Sequence, residues 1–158
     1  MGVLATLAMT AGVLTATTAP ASAAAMACNY DGFSFNACLT IEYAGPGRWD
    51  VTVGFDRYLP QQYANEILAC PGGGIVFSVL WGDDGGHPDD DELGSIPLMP
   101  GFPNTGSNPE GLFAGFHRAG MNLNEDSGTD EVYAEVTYFD CHNGLWMTYR
   151  TGTHVGTF

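Results

Sequence analysis

Apolar and polar positions alternate most cleanly between Arg48 and Asp56, where Trp49, Val51, Val53 and Phe55 fall on one side of an extended chain and Asp50, Thr52 and Asp56 on the other. A period of two over this length predicts a strand with one face on a core. The pattern returns from Glu131 to Phe139, with Val132, Ala134, Val136 and Tyr138 set against Glu131, Glu135 and Thr137. Ile75–Trp81 is apolar on both faces and predicts a central strand. Leu112–His117 predicts a further one. After Pro60, Tyr63, Ala64, Ile67 and Leu68 recur at helical spacing until Cys70-Pro71-Gly72-Gly73-Gly74 interrupts them, which predicts a short helix over about 60–69. Asn143-Gly144, followed by Trp146–Arg150, predicts a tight hairpin with positive φ at its centre. The roughly thirty residues after Trp81 carry most of the prolines and much of the acid, and are expected to form a long loop. Short strands, one helix and Gly-rich turns predict a mainly β chain, a disulfide-stabilised β-sandwich or open barrel.

The first 27 residues break this pattern. They hold no charged side chain, are rich in Ala, Leu, Val and Thr, and pass through Ala21-Ser22-Ala23, a small-x-small site suited to signal peptidase. Residues 1–23 are expected to be a cleaved export signal although no Lys or Arg precedes Arg48, and 24–158 a single secreted, extracellular β-rich domain. Thr10, Thr15, Thr17, Thr18 and Pro20 interrupt the stretch too often for a membrane anchor.

All four cysteines follow the expected cut, and an even count in an exported domain predicts two disulfides. Of the three possible pairings, Cys28 with Cys38 and Cys70 with Cys141 is favoured, because a local bridge plus a long-range one would pin the N-terminal segment and clamp the domain. On the chain-entropy model they contribute about 3 and about 4 kcal/mol respectively. Without a Cys-x-x-Cys pair the spacing does not resemble a zinc site.

Charge narrows the partners. Eighteen Asp and Glu stand against four Arg and no Lys, a net charge of −14, which repels nucleic acid and anionic membrane. Cations, basic protein patches, neutral carbohydrates and apolar small molecules remain as partners, expected to be an extracellular protein or a small ligand.

Calcium is the one cofactor the sequence raises. Asp83, Asp84, Asp89, Asp90, Asp91 and Glu92 put six carboxylates into ten positions, enough oxygen to surround a hard cation. A second segment offers Asn122, Asn124, Asp126 and Asp130 in partial imitation of an EF-hand loop, but Ser127 occupies the glycine position and Tyr133 that of the bidentate Glu. The plain alternatives are a solvated acidic loop and a polar loop with Asx turns.

Catalytic signatures are sparse. His87, His117, His142 and His154 form no His-Glu-x-x-His pair, and no Gly-x-Ser-x-Gly elbow is present. His117, beside Arg118 on an expected strand, is the histidine to test for a small extracellular hydrolase. Among the aromatics, Trp49 alternates with core valines, whereas Trp81 and Trp146 border loops and are the better candidates for a carbohydrate platform or small-molecule site. Pro97-Leu98-Met99-Pro100-Gly101-Phe102-Pro103 is an apolar, proline-stiffened stretch that suits either an exposed inhibitory loop led by Met99 or a crossing over the core. The expected function is therefore non-catalytic binding by a small acidic β domain, with a protease-inhibitor-like protein presenting 97–103 and a small hydrolase as alternatives.

Overall fold

The computed structural model describes residues 24–71, 74, 76–83, 90–106, 111–124 and 129–158. Two antiparallel sheets are built from β1 (Ala25–Tyr30), β2 (Phe35–Gly45), β3 (Arg48–Arg57), β4 (Val76–Gly82), β5 (Asp91–Ile96), β6 (Asn104–Thr105), β7 (Leu112–Met121), β8 (Asp130–Asp140), β9 (Leu145–Arg150) and β10 (His154–Gly156), with one helix, α1 (Gln61–Ala69), between β3 and β4. The first sheet runs β1-β2-β3-β7-β6. The second runs β10-β8-β4-β5, with β9 also paired to β8. Among the described residues no helix is long and apolar enough to cross a membrane.

The alternation read from the sequence is what turns one face of each sheet inward. Leu39 and Ile41 of β2, Val51, Val53 and Phe55 of β3, and Leu112 and Phe116 of β7 bury against Leu80 of β4 and Val132 and Val136 of β8. Each such side chain is worth about 1.5–3 kcal/mol of transfer free energy. Aromatic rings stitch the layers together: Phe55 meets Tyr138 at 6.5 Å and Tyr149 at 5.2 Å, and Phe35 meets Tyr149 at 4.7 Å. Burial pushes the Tyr138 hydroxyl up to about 12.

β8 is shared. β4 pairs with it along one side, while β9 takes Glu135–Asp140 and β10 takes Asp130–Val132 on the other. At the break between those two partners, the buried Thr151 donates its backbone N–H to the Ala134 carbonyl at 2.9 Å and accepts the Ala134 N–H on Oγ1 at 2.9 Å. A side-chain oxygen thus completes the ladder where the strand steps. Gly152 follows, and a Cβ there would lie 2.9 Å from the Cys28 carbonyl oxygen, because β1 passes against it. The Asn29 amide donates to the Arg150 carbonyl at 3.1 Å on the same side. Across the molecule, Arg118 of β7 donates to the Ser95 carbonyl of β5 at 2.9 Å. The sandwich is therefore drawn together along both flanks.

Both disulfides form as expected. Cys28 and Cys38 face each other in register across β1 and β2, with Cα atoms 4.1 Å apart. Cys70–Cys141 ties the end of α1 to the β8–β9 turn. The same junction holds a polar cluster in which the buried Asp140 accepts from the Tyr63 hydroxyl at 2.9 Å, the Asn143 amide at 2.8 Å and the His142 and Asn143 N–H groups at 3.0 and 3.3 Å. These bonds shape a four-residue turn over 141–144, with positive φ at Gly144 alone, in place of the expected two-residue Asn-Gly turn.

Further differences concern segments without clear alternation. The expected long loop after Trp81 contains β5 and β6, and β1, β2 and β10 are strands that the opening pattern did not predict. The described parts of 97–103 are tied to β7 through the Met99 N–H to Gly115 carbonyl bond at 2.8 Å and the His117 N–H to Pro97 carbonyl bond at 3.0 Å.

Replacing Cys70 and Cys141 together by Ala is expected to cost about 4 kcal/mol, read as a lower urea midpoint, because the bridge closes a 71-residue separation. The Asp140 carboxyl is subject to a burial penalty, yet the donated bonds outweigh it and hold its pKa below the ordinary value. A depressed native pKa contributes stability that is complete above about pH 4 and fades as pH falls through the native value. Asp140→Asn should accordingly be less stable than the parent at pH 7, and the two urea midpoints should converge in acid.

Candidate functional site

Among the described residues, no further layer covers the outward face of the second sheet around Phe77, unlike what its sequence suggests. β4 is central, as its apolar run predicts, but its outward Phe77 is 47% exposed. In register, Phe139 of β8 faces Trp146 of β9, and Phe77 faces Thr137. Trp146, 54% exposed, meets Phe139 at 4.9 Å and Phe77 at 6.1 Å, with ring planes inclined by 34° and 51°. The three rings form one solvent-facing patch that the core does not account for.

Two residues further along the strands, Thr137 and Thr148 lie opposite each other with hydroxyl oxygens 2.7 Å apart. The next outward pair is Glu135 and Arg150, with Val79 across from Glu135. An aromatic row, a hydroxyl row and a row of opposite charges thus succeed one another at about 7 Å intervals, the spacing of alternate residues in a strand.

The far end of this face is locked. Arg150 places its guanidinium 3.4 Å from the centre of the Tyr133 ring and pairs with the Asp83 carboxylate. Tyr133, fully buried beneath it, donates its hydroxyl to Asp90 Oδ2 at 2.6 Å. Burial, followed by the Asp90 hydrogen bond and charge, drives the Tyr133 hydroxyl far above the ordinary phenol range, so it stays a protonated donor. Asp83 and Asp90 are thus both held by a single Tyr–Arg stack.

This geometry locates the expected metal residues. Asp83 is paired with Arg150, Asp90 accepts from Tyr133, Asp91 begins β5 exposed, and Asp130 begins β8 buried. Asn124 makes an Asx turn on Asn122 at 3.2 Å and donates its amide to the Phe158 carbonyl at 3.2 Å. The two acidic segments do approach each other, since the Asp83 N–H donates to the Glu131 carbonyl at 2.6 Å. Asp84, Asp89 and Asp126 lie outside the described residues, among which no group of three or more His, Cys, Asp or Glu is arranged to hold a metal ion.

Of the binding candidates, Trp146 is on the exposed patch, while Trp81 lies half-buried opposite Tyr133 at the locked end. Met99 is on the other sheet, 38% exposed, and with Phe102 it packs over Gly115, where a Cβ would sit 3.3 Å from the Met99 sulfur. His117 is exposed on β7 with Thr52 across from it. Phe77 and Phe139 were not singled out from the sequence. Nor was an open groove of about 670 Å³ beside the Cys28–Cys38 bridge, lined also by Met26, Tyr30, Asn36 and Tyr58. Phe77 was detectable in principle, because a both-faced apolar strand needs a cover and only one short helix was predicted.

Comparison with protein families, with curated proteins and with solved structures found no match to this chain.

Tyr133→Phe removes the donor to Asp90 without changing the ring under Arg150. It should cost about 1–3 kcal/mol in urea unfolding, the price of leaving a buried acceptor without one of its bonds.

Proposed function

We propose that this is an exported, non-catalytic binding domain whose contact surface is the outward face of the second sheet around Trp146. The observation that carries this is the exposed cluster of Phe77, Phe139 and Trp146 in mutual ring contact. Contact surfaces concentrate Trp, Tyr and Phe because such rings bury large area at small entropic cost. The rigid scaffold supports the same conclusion: the patch sits on paired strands, and the hairpin carrying Trp146 is held at its turn by Asp140 and the Cys70–Cys141 bridge. Export is supported by the uncharged N-terminal segment and by two disulfides, which persist in oxidising compartments.

The test is a ligand screen of the immobilised protein against neutral and charged glycans, basic peptides and small aromatic compounds, run in parallel with Trp146→Ala and with Phe33→Ala. Phe33 is 90% exposed on the β1–β2 turn and serves as the control aromatic. At least one ligand should bind the parent and the control equally and the Trp146 variant at least tenfold more weakly, a loss of about 1.4 kcal/mol. Equal binding by all three proteins to every ligand would remove this face from the function.

A further inference from the structure

We infer that the ligand of this face is a neutral oligosaccharide lying along β8 and β9, a conclusion that rests on the face being the contact surface. Charge is the first argument. The chain carries −14, yet between Phe139 and Tyr133 the outward side chains of β4, β8 and β9 include one carboxylate and one guanidinium, Glu135 and Arg150, set opposite each other in register. With Arg150 already paired to Asp83, this is a sparsely charged strip on a strongly acidic molecule. A polyanion is repelled by the whole, and a polycation finds its complement elsewhere on the surface rather than beside the rings.

The order of the rows is the second argument. A pyranose presents polarised C–H groups on its faces and hydroxyls around its rim. The faces suit the electron-rich side of an exposed indole or phenyl ring, and the rim needs both donors and acceptors. Trp146 and Phe139 supply the ring surface, and the adjacent Thr137 and Thr148 hydroxyls donate and accept. Arg150, in the row beyond, is held by Asp83 and Thr153 and belongs to the locked end. A partner that is merely apolar would have no use for the hydroxyl row.

The inclination of the rings is the third. Planes turned by 34° and 51° make a twisted surface that fits a single soluble chain rather than the flat face of a crystalline polysaccharide.

The experiment is affinity electrophoresis of the oxidised protein in gels containing hydroxyethylcellulose, laminarin, xylan, galactomannan or glycol chitin. Alginate is the polyanion, and oligolysine binding is followed separately by calorimetry. Trp146→Ala, Phe77→Ala and Thr137→Val are compared with the parent after their thermal midpoints confirm folding. At least one neutral polysaccharide should retard the parent. Its dissociation constant should rise at least tenfold in Trp146→Ala and several-fold in Thr137→Val, with no retardation by alginate. No retardation by any neutral polysaccharide, or retardation that Trp146→Ala leaves unchanged, overturns the inference. Trp146-dependent binding of oligolysine without sugar binding also overturns it, while leaving the contact face in place. Loss with Trp146→Ala but not with Thr137→Val removes the hydroxyl row from recognition and overturns the inferred path of the sugar along β8 and β9.

Discussion

The structure depends on keeping the backbone of β8 fully paired. A strand buried between partners must satisfy N–H and C=O groups on both sides, and on one side of β8 the partner changes from β9 to β10. Thr151 resolves this with its backbone N–H and its side-chain oxygen together, returning to Ala134 both halves of the bond pair that a continuous strand would have supplied. The step lets β1 approach at Gly152, where a side chain would collide with it. It follows directly after Arg150, whose guanidinium lies over the Tyr133 ring. Closure of the flank, the stack on Tyr133 and the pairing of Asp83 all lie around one irregularity.

Cations are scarce, and three of the four arginines carry an architectural task. Arg57 donates to the Ser34 carbonyl, Arg118 to that of Ser95, and Arg150 to Asp83. With no lysine in the chain, these three positive charges are engaged by groups of the fold itself, and much of the acid is left to define the exterior. Sequence charge alone suggested that the acidic run was either solvated or metal-bound. Asp83 and Asp90 illustrate a further use, as bonded partners of Arg150 and Tyr133.

What could be read from the sequence tracks side-chain size and period. β3, β7, β8, β9 and α1 declare themselves because large apolar residues recur at the right interval, and the favoured disulfide pairing follows from the same economy of one local and one distant clamp. β2 carries the same alternation, Phe35, Ala37, Leu39 and Ile41 facing in, but Ala37 and Cys38 lower the contrast between its faces. β5 is hidden by Asp91, Glu92 and Gly94, and its register shifts against β4 between Leu80 and Trp81. For the candidate site, Trp146 was visible as a loop-bordering aromatic. Phe77 and Phe139 were not singled out, because an apolar run on both faces of β4 predicts burial on both; only the chain-wide shortage of a covering element, rather than the seven residues themselves, signals that Phe77 is open. The Tyr133–Asp90 bond joins positions 43 apart in sequence, and local pattern could not have paired them.

The flanking contacts also bear on how copies of the molecule meet. Open strand edges are where β proteins add to one another through backbone bonds. Here the β1 edge runs against Gly152 and lends its Asn29 amide to Arg150, the Ser95 carbonyl of β5 is already taken by Arg118, and β6 offers two residues. At these places an approaching copy meets side-chain contacts or a short edge before a long run of main chain, whereas β9 pairs with β8 alone among the described strands. The contacts that draw the two sheets together thus also cover part of the strand edges that another copy could add to.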